Sequence, residues 1–221
     1  MYLEAFSDNP FDTNCWLLAA DGSDEAVVVD PGFSADRLLR LLEAAGKRPV
    51  VALATHGHSD HIGATEALCG NDIPFHIHKE DEQALFDPVG WGSQWNDSPV
   101  RPGIVRTFAD GDVLDVAGFQ VEVIHTPGHT PGSQCFFVND CLVSGDTLFL
   151  EGCGRTDLPG GDPEAMYDSL TRRLAKVPDD TVLFPGHLYS AEPSATMGET
   201  RRLNYVFRPQ TPEQWLMMFG R

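Results

Sequence analysis

Thr55-His56-Gly57-His58-Ser59-Asp60-His61 is the stretch from which the rest of the chain is read. It places three of the eight histidines of the 221-residue sequence directly after the apolar run Val50-Val51-Ala52-Leu53-Ala54. His56 and His58 are two apart, so in extended backbone both side chains fall on one side. Gly57 between them tolerates a tight bend. Asp60 and His61 fall at the following turn and point elsewhere. One loop thus offers two ligands to each of two metal ions. Neutral imidazoles and carboxylates are ligands that zinc, iron and manganese accept. Asp60 alone would also serve as a helix N-cap, and a single histidine as a core residue. Their crowding at one strand-to-loop junction favours ligation.

Three further candidates stand in the same setting. His129 lies in Thr126-Pro127-Gly128-His129-Thr130, after a strand expected over 119–125. Asp146 lies in Ser144-Gly145-Asp146, after a strand at 141–144, and His187 in Pro185-Gly186-His187, after a strand at 181–184. Each follows a strand and has glycine immediately before it, a pattern that brings ligands to one edge of the sheets.

Hydrophobic periodicity fills in the frame. Strands are expected over 13–19 and 26–30, joined by the turn Asp21-Gly22. A helix follows from about Ala35 to Ala45, with Ser34 as N-cap, Leu38, Leu41, Leu42 and Ala45 on one face, and Gly46 as its stop. After the strand at 50–54 come a helix at 62–69, a strand at 73–77 and a helix at 79–86. Residues 87–104 read as a long loop, and a loop of that length is usually functional or mobile. Strands at 112–116, 119–125, 134–138 and 141–144 precede a helix over 163–176, opened by Pro163. The halves repeat one pattern with no linker between them, which predicts a single domain over 1–221. It holds two mixed sheets face to face, with helices outside.

Composition bounds the function. Hydrophobic residues make up 42% and charged residues 22%, enough for a sizeable core and unlike a disordered chain. The net charge of −18 repels DNA or RNA and argues against a nuclease. No apolar run reaches the roughly 18 to 20 residues of a membrane span. Residues 1–8 hold no basic residue and no long apolar stretch, so a cytoplasmic protein without a secretion signal is expected. The five cysteines form no CxxC pair and read as small buried residues rather than disulfides or thiolate ligands.

Taken in order, the HxHxDH loop and the TPGHT, SGD and PGH turns resemble the metallo-β-lactamase superfamily over about residues 10–205. That resemblance implies an α/β fold, a four-layer αβ/βα sandwich of two mixed sheets flanked by helices. It implies that His56, His58 and His129 hold a first metal ion, that Asp60, His61 and His187 hold a second, and that Asp146 bridges them. Two divalent ions, zinc by expectation and iron or manganese as alternatives, would supply a nucleophile near neutral pH, because metal binding lowers the pKa of water to about 7. Asp60 would orient that nucleophile or accept its proton.

Within the superfamily, Gly152-Cys153-Gly154-Arg155-Thr156-Asp157-Leu158-Pro159-Gly160-Gly161-Asp162 is similar to the loop of glyoxalase II, the hydroxyacylglutathione hydrolases, especially their short bacterial forms. So is Thr196-Met197-Gly198-Glu199, with Asn204 downstream. The resemblance implies hydrolysis of a small thioester such as S-lactoylglutathione, with Arg155 and Tyr189 contacting the glutathione part. Arg155 suits a carboxylate by charge and fork geometry; an ion pair with Asp157 is its other reading. The long glyoxalase II enzymes carry an aromatic residue in place of Asp157 and a C-terminal helical region with further basic contacts. This chain departs on both counts, which leaves the thiol carrier open. Its tail, residues 201–208, either substitutes for that region or packs.

GCGRTD also resembles the persulfide dioxygenases of the same fold, in which residues matching His56, His129 and Asp146 hold one iron. A non-catalytic metal-binding regulator is a third reading. A β-lactamase is disfavoured because Asp146 stands where many of those enzymes use cysteine. His76, His78 and His125 are read as structural or as supports behind the metal ligands, while Trp91, Trp95 and Phe108 either line the pocket wall or simply pack. Nothing marks Cys153 as a nucleophile. The oligomeric state is left open.

Overall fold

A computed structural model describes residues 1–7, 11–92 and 99–220. Trp95 therefore lies outside the described residues. The first sheet orders its strands as they occur in the chain: β1 (Tyr2–Phe6), β2 (Cys15–Ala19), β3 (Glu25–Val29), β4 (Arg48–Leu53), β5 (Pro74–His78) and β6 (Ile104–Phe108). β1, β2 and β3 pair antiparallel, whereas β3 to β6 run parallel. The second sheet comprises β7 (Val113–Val116), β8 (Phe119–His125), β9 (Gln134–Val138), β10 (Cys141–Gly145), β11 (Val182–Pro185) and β12 (Ala195–Thr196), also in sequential order. Only its β10–β11 pair is parallel.

The period-two alternation of each strand divides the core into three layers. From the first sheet, Trp16, Leu18, Val27, Val29, Val51 and Leu53 face inward. They meet Val121, Val123, Phe136, Val138 and Val143 of the second sheet. The intervening residues Leu17, Val28, Ala52, Phe75 and Ile77 face outward and are covered by Leu38 and Leu42 of helix α1 (Ala35–Ala44) and by Leu68 of α3 (Thr65–Cys69). On the far side, Leu142 and Leu183 lie under Met166 of α4 (Pro163–Asp168) and Trp215 of α6 (Pro212–Phe219). Each fully buried Leu, Val or Phe here contributes about 1.5–3 kcal/mol over exposure. The result is the four-layer αβ/βα sandwich expected from the sequence.

The differences have local causes. The helix expected at 62–69 is two pieces, α2 (Ser59–Ile62) and α3, because the chain at Gly63-Ala64 packs on the turn after β3. Ala64 N donates to Pro31 O at 2.8 Å, and a Cβ on Gly63 would lie 2.7 Å from Gly32 O. The helix expected at 79–86 shrinks to a 3-10 turn over Glu82–Leu85. The helix opened by Pro163 continues past α4 only as a π turn over Ser169–Arg173 and a 3-10 turn over Leu174–Lys176. Ser34 sits at φ 54° and its side chain makes no cap bond; only its carbonyl engages Arg37 N and Leu38 N. The tail packs: Arg201, in α5 (Met197–Leu203), pairs with Asp179 and donates to Leu174 O and Val177 O. Among the described residues no helix is long and apolar enough to cross a membrane.

Candidate metal centre

Strand direction assembles the site. β8, β10 and β11 run the same way, so the residues after them emerge at one edge of the second sheet. The loop after β4 meets that edge because the start of β2 is tied to the end of β11. Trp16 Nε1 and Asn14 Nδ2 both donate to Pro185 O, at 3.0 and 2.9 Å, and Asn14 N donates to Gly186 O at 2.8 Å. All seven expected ligands come together. His56, His58 and His129 form one group, and Asp60, His61 and His187 another; Asp146 groups with His56 and His61 and also reaches His129 and His187.

Four of the five imidazoles are anchored through Nδ1. His56 meets Thr55 Oγ1 at 3.1 Å, His61 meets Asp30 Oδ2 at 2.9 Å, His129 meets Arg155 O at 2.7 Å and His187 meets Phe11 O at 2.8 Å. Their Nε2 atoms are left to face the centre. His58 differs: it presents Nδ1, 3.1 Å from His56 Nε2. Thr13 Oγ1 donates to Asp60 Oδ2 at 3.0 Å and orients that carboxylate.

The residues fit a pair of cations. Ligand atoms stand edge to edge at 3.1 Å (His56–His58), 3.3 Å (His61–His187 and His187–Asp146), 3.4 Å (His129–Asp146) and 3.5 Å (His61–Asp146). A tetrahedral ion with bonds of about 2.0–2.1 Å requires ligand separations of about 3.3–3.4 Å. His129 Nε2 and Asp146 Oδ1 are buried without a hydrogen-bond partner, as is the outer Nε2 of His58. An isolated buried polar atom is costly; coordination removes that cost for the first two.

The electrostatics carry the same message. Burial and the neighbouring His61 push His56 well below the usual imidazole range, and burial with His129 brings His58 down to about 3. Burial opposes charge on His61 too, but Asp60, Asp146 and Asp30 carry it up to about 10. His187 is raised by Asp146 in the same way, against burial. Burial works against ionised Asp146, yet His187 and His61 hold it well below the carboxylate range. The carboxylates raise His61 and His187 while burial lowers His56 and His58, so the cage favours positive charge beside its aspartates.

The cluster floors a cavity of about 420 Å³, within the range of small-ligand sites. Phe11, Phe149, Leu158 and Tyr189 form apolar walls, and Arg155 and Cys153 also line it. Tyr189 stacks on His187 with centroids 4.7 Å apart and meets Phe149 edge-on at 5.3 Å. The Arg155 guanidinium is engaged by Asp157 through Nε and Nη2, at 2.6 and 2.7 Å. Asn204 braces the loop carrying Phe149, donating to Phe149 O and Gly152 O and accepting from Gly152 N. Burial, with Asp146, pushes the Cys153 thiol up to about 12, which leaves it a poor nucleophile.

Phe108 is not in the wall: it packs between the sheets against His76 and Phe136. Trp91 is not among the lining residues either, although Gly92 is. His78 and His125 stack with planes 12° apart and centroids 4.1 Å apart, and with Glu80 they bring a further set of possible ligand atoms together; His78 Nδ1 already accepts from Glu80 N and His125 Nε2 meets Pro131 O at 2.8 Å. Asp30, Thr13, Phe11 and Phe149 were not anticipated as parts of the site. Asp30 alone carried a visible signal, a carboxylate closing the apolar run Ala26-Val27-Val28-Val29.

The model of the metallo-beta-lactamase superfamily matches residues 8–187. Among curated proteins, ML0493 of Mycobacterium leprae (strain TN) is 38% identical, over 92% of this chain and 97% of its own. The hydroxyacylglutathione hydrolase GloC of Haemophilus influenzae is 33% identical, over 92% and 97%. Among solved structures, BLEG-1 B3 metallo-beta-lactamase superposes with a TM-score of 0.85 at 29% identity, covering 94% of this chain and 100% of that one. ETHE1 from Myxococcus xanthus gives 0.81 at 27%, covering 100% and 90%. TTHA1623, solved in a di-iron-bound form, gives 0.73 at 34%, covering 93% and 99%. With a family model over most of its length and relatives above 30% identity, the chain belongs to the metallo-β-lactamase superfamily.

Proposed function

We propose that the protein is a metal-dependent thioesterase acting on a small hydroxyacyl-thiol, S-lactoylglutathione or an analogue with another thiol. The observation that carries this reading is the convergence of five histidines and two aspartates beneath an open, apolar-walled cavity. The 33% identity to GloC over nearly the whole chain supports the substrate class. His56, His58 and His129 would hold one divalent cation, Asp60, His61 and His187 a second, and Asp146 both. Zinc is favoured, and the same donors accept iron or manganese. When bound, such ions polarise a carbonyl and bring the pKa of water to about 7.

The chain's own residues do the rest. Asp60, held by Thr13 at one oxygen, borders the cavity and accepts a proton from the attacking water. Phe11, Phe149, Leu158 and Tyr189 shed water from the acyl group, and Arg155 meets an anionic group on the thiol part. The substrate is a small molecule, and a nucleic acid is not expected at this net charge. A cytoplasmic location follows from the same reading.

A single-iron persulfide dioxygenase is the second reading, favoured by the TM-score of 0.81 to ETHE1. Elemental analysis of protein purified without added metal, together with a panel of lactoyl thioesters, glutathione persulfide and a cephalosporin, decides. Two metals per chain and thioester cleavage without oxygen uptake are expected. One iron with oxygen consumption on persulfide, or two metals with no turnover at all, overturns the thioesterase; the latter favours a regulator.

A further inference from the structure

Asp81 is remote in sequence from every ligand, yet its carboxylate is fully buried between the two loops that carry the first group of histidines. Oδ2 accepts from Gly57 N at 2.8 Å and from Thr130 Oγ1 at 2.7 Å, and Oδ1 accepts from Gly132 N at 2.6 Å. Gly57 separates His56 from His58, and Thr130 follows His129. One loop leaves the first sheet and the other the second, so this carboxylate bridges both layers beside the metal centre. The backbone approaches this residue closely: a Cβ on Gly132 would lie 2.5 Å from Asp81 Oδ1, and one on Gly57 would lie 3.3 Å from Asp81 O. Asp81 itself is fixed by its own N–H, which donates to His78 O at 2.9 Å.

The other group of ligands is held elsewhere. His61 bonds to Asp30, Asp60 accepts from Thr13, and His187 bonds to Phe11 O. No hydrogen bond of Asp81 reaches these three residues or their anchors.

We infer that Asp81 is the positioning residue of the first metal site: it sets His56, His58 and His129 relative to one another and leaves Asp60, His61 and His187 untouched. The inference rests on the two-cation reading given above. Asp81→Asn keeps the shape but turns one acceptor into an NH₂ group facing a backbone N–H, so one loop loses its tether.

Co²⁺ titration followed by visible absorbance and calorimetry tests it on the full chain. Wild type is expected to take up two Co²⁺. Asp81→Asn should weaken one step by about ten- to a hundredfold, the usual effect of removing such a partner. The same factor should appear in a His187→Ala background, where the second site is disabled, and vanish in a His58→Ala background, where the first is. Two Co²⁺ bound at wild-type affinity by Asp81→Asn, or equal weakening in both backgrounds, overturns the inference alone. Wild-type protein that binds fewer than two Co²⁺ overturns the metal reading and the inference with it. Should Asp81→Asn not fold, Thr130→Val carries the test. It removes one donor to Asp81 at nearly constant shape, together with the Thr130 Oγ1–Ser133 Oγ contact, so the unfolding temperature of the metal-free protein should drop only modestly while the first site weakens and the second does not. Unchanged first-site affinity there also overturns the inference.

Discussion

Nδ1 of His61 lies 2.9 Å from Oδ2 of Asp30, and neither side chain is exposed to solvent. The carboxylate fixes the Nδ1–H tautomer and leaves Nε2 for a metal. The same residue accepts from Thr55 N at 2.7 Å and Thr55 Oγ1 at 2.8 Å, so it holds both ends of the HxHxDH loop.

Asp30→Ala should therefore act on stability and on metal binding together. It strands the buried Thr55 N–H and His61 Nδ1–H, at roughly 1–3 kcal/mol for each unsatisfied group. Urea denaturation of the metal-free protein reads the first effect, and metal titration reads a weakened second site. An unchanged denaturation midpoint contradicts the bond network.

Metal uptake should release protons. The pKa of His61 is raised to about 10, so at neutral pH the metal-free site holds a proton on a nitrogen that a cation needs as a lone pair, and the upward shift of His187 favours a second. The sign follows: affinity climbs with pH while His61 remains protonated, up to its pKa near 10, and falls on acidification. Calorimetric titration at pH 7 in buffers of different ionisation enthalpy measures the release. About one to two protons per chain are expected, and none would contradict the charge arrangement.

Much of this was legible in the sequence because the ligands carry local signals. Each lies in a short Gly-containing turn directly after an apolar strand, so strand direction alone gathers them at one edge. The supports are marked more weakly: Asp30 closes the apolar run Ala26-Val27-Val28-Val29, and nothing local marks Asp81. Asp30 and Asp81 are single acids whose partners lie 24 to 51 residues away, visible only once the loops are folded together. For Phe108 the sequence leaves pocket wall and core packing equally open, because β6, an edge strand with Arg106 and Thr107 exposed, lacks the alternation that marks a half-buried strand; the structure shows packing. Asp81 looked like part of a helix, but its carboxylate is bound by the opposite sheet's loop.

Arg155→Ala should separate recognition from folding. The Arg155–Asp157 pair is exposed, with side chains 59% and 43% accessible, and such pairs are worth about 0–1 kcal/mol. Thermal unfolding should hardly move. KM for a thioester with a carboxylate on its thiol part should rise several-fold, and KM for an uncharged one should not. Tyr189→Ala removes ring contacts with His187 and Phe149 worth about 0.5–1.5 kcal/mol each. It should raise KM for both substrates, with Tyr189→Phe close to wild type. Equal effects of Arg155→Ala on both substrates would remove Arg155 from recognition.

Gly154→Ala probes a close approach in the site. Gly154 N donates to Asp146 O at 2.7 Å, and a Cβ there would lie 2.2 Å from Asp146 O and 2.9 Å from His129 Nδ1. The neighbours must move, which costs about 1–3 kcal/mol as overpacking and displaces one ligand of each kind. A shift of about 1 Å at reacting groups is enough for a hundredfold loss, so kcat/KM should fall by about that factor and metal content should drop. Gly22→Ala is the control. Gly22 has φ +77° and nothing within 4 Å of the added Cβ, so the change brings left-handed strain of roughly 1–2 kcal/mol without touching the cavity. Its unfolding temperature should fall while kcat/KM per bound metal stays at wild type; if both variants lose activity in proportion to stability, the loss at Gly154 is one of folding and not of ligand geometry.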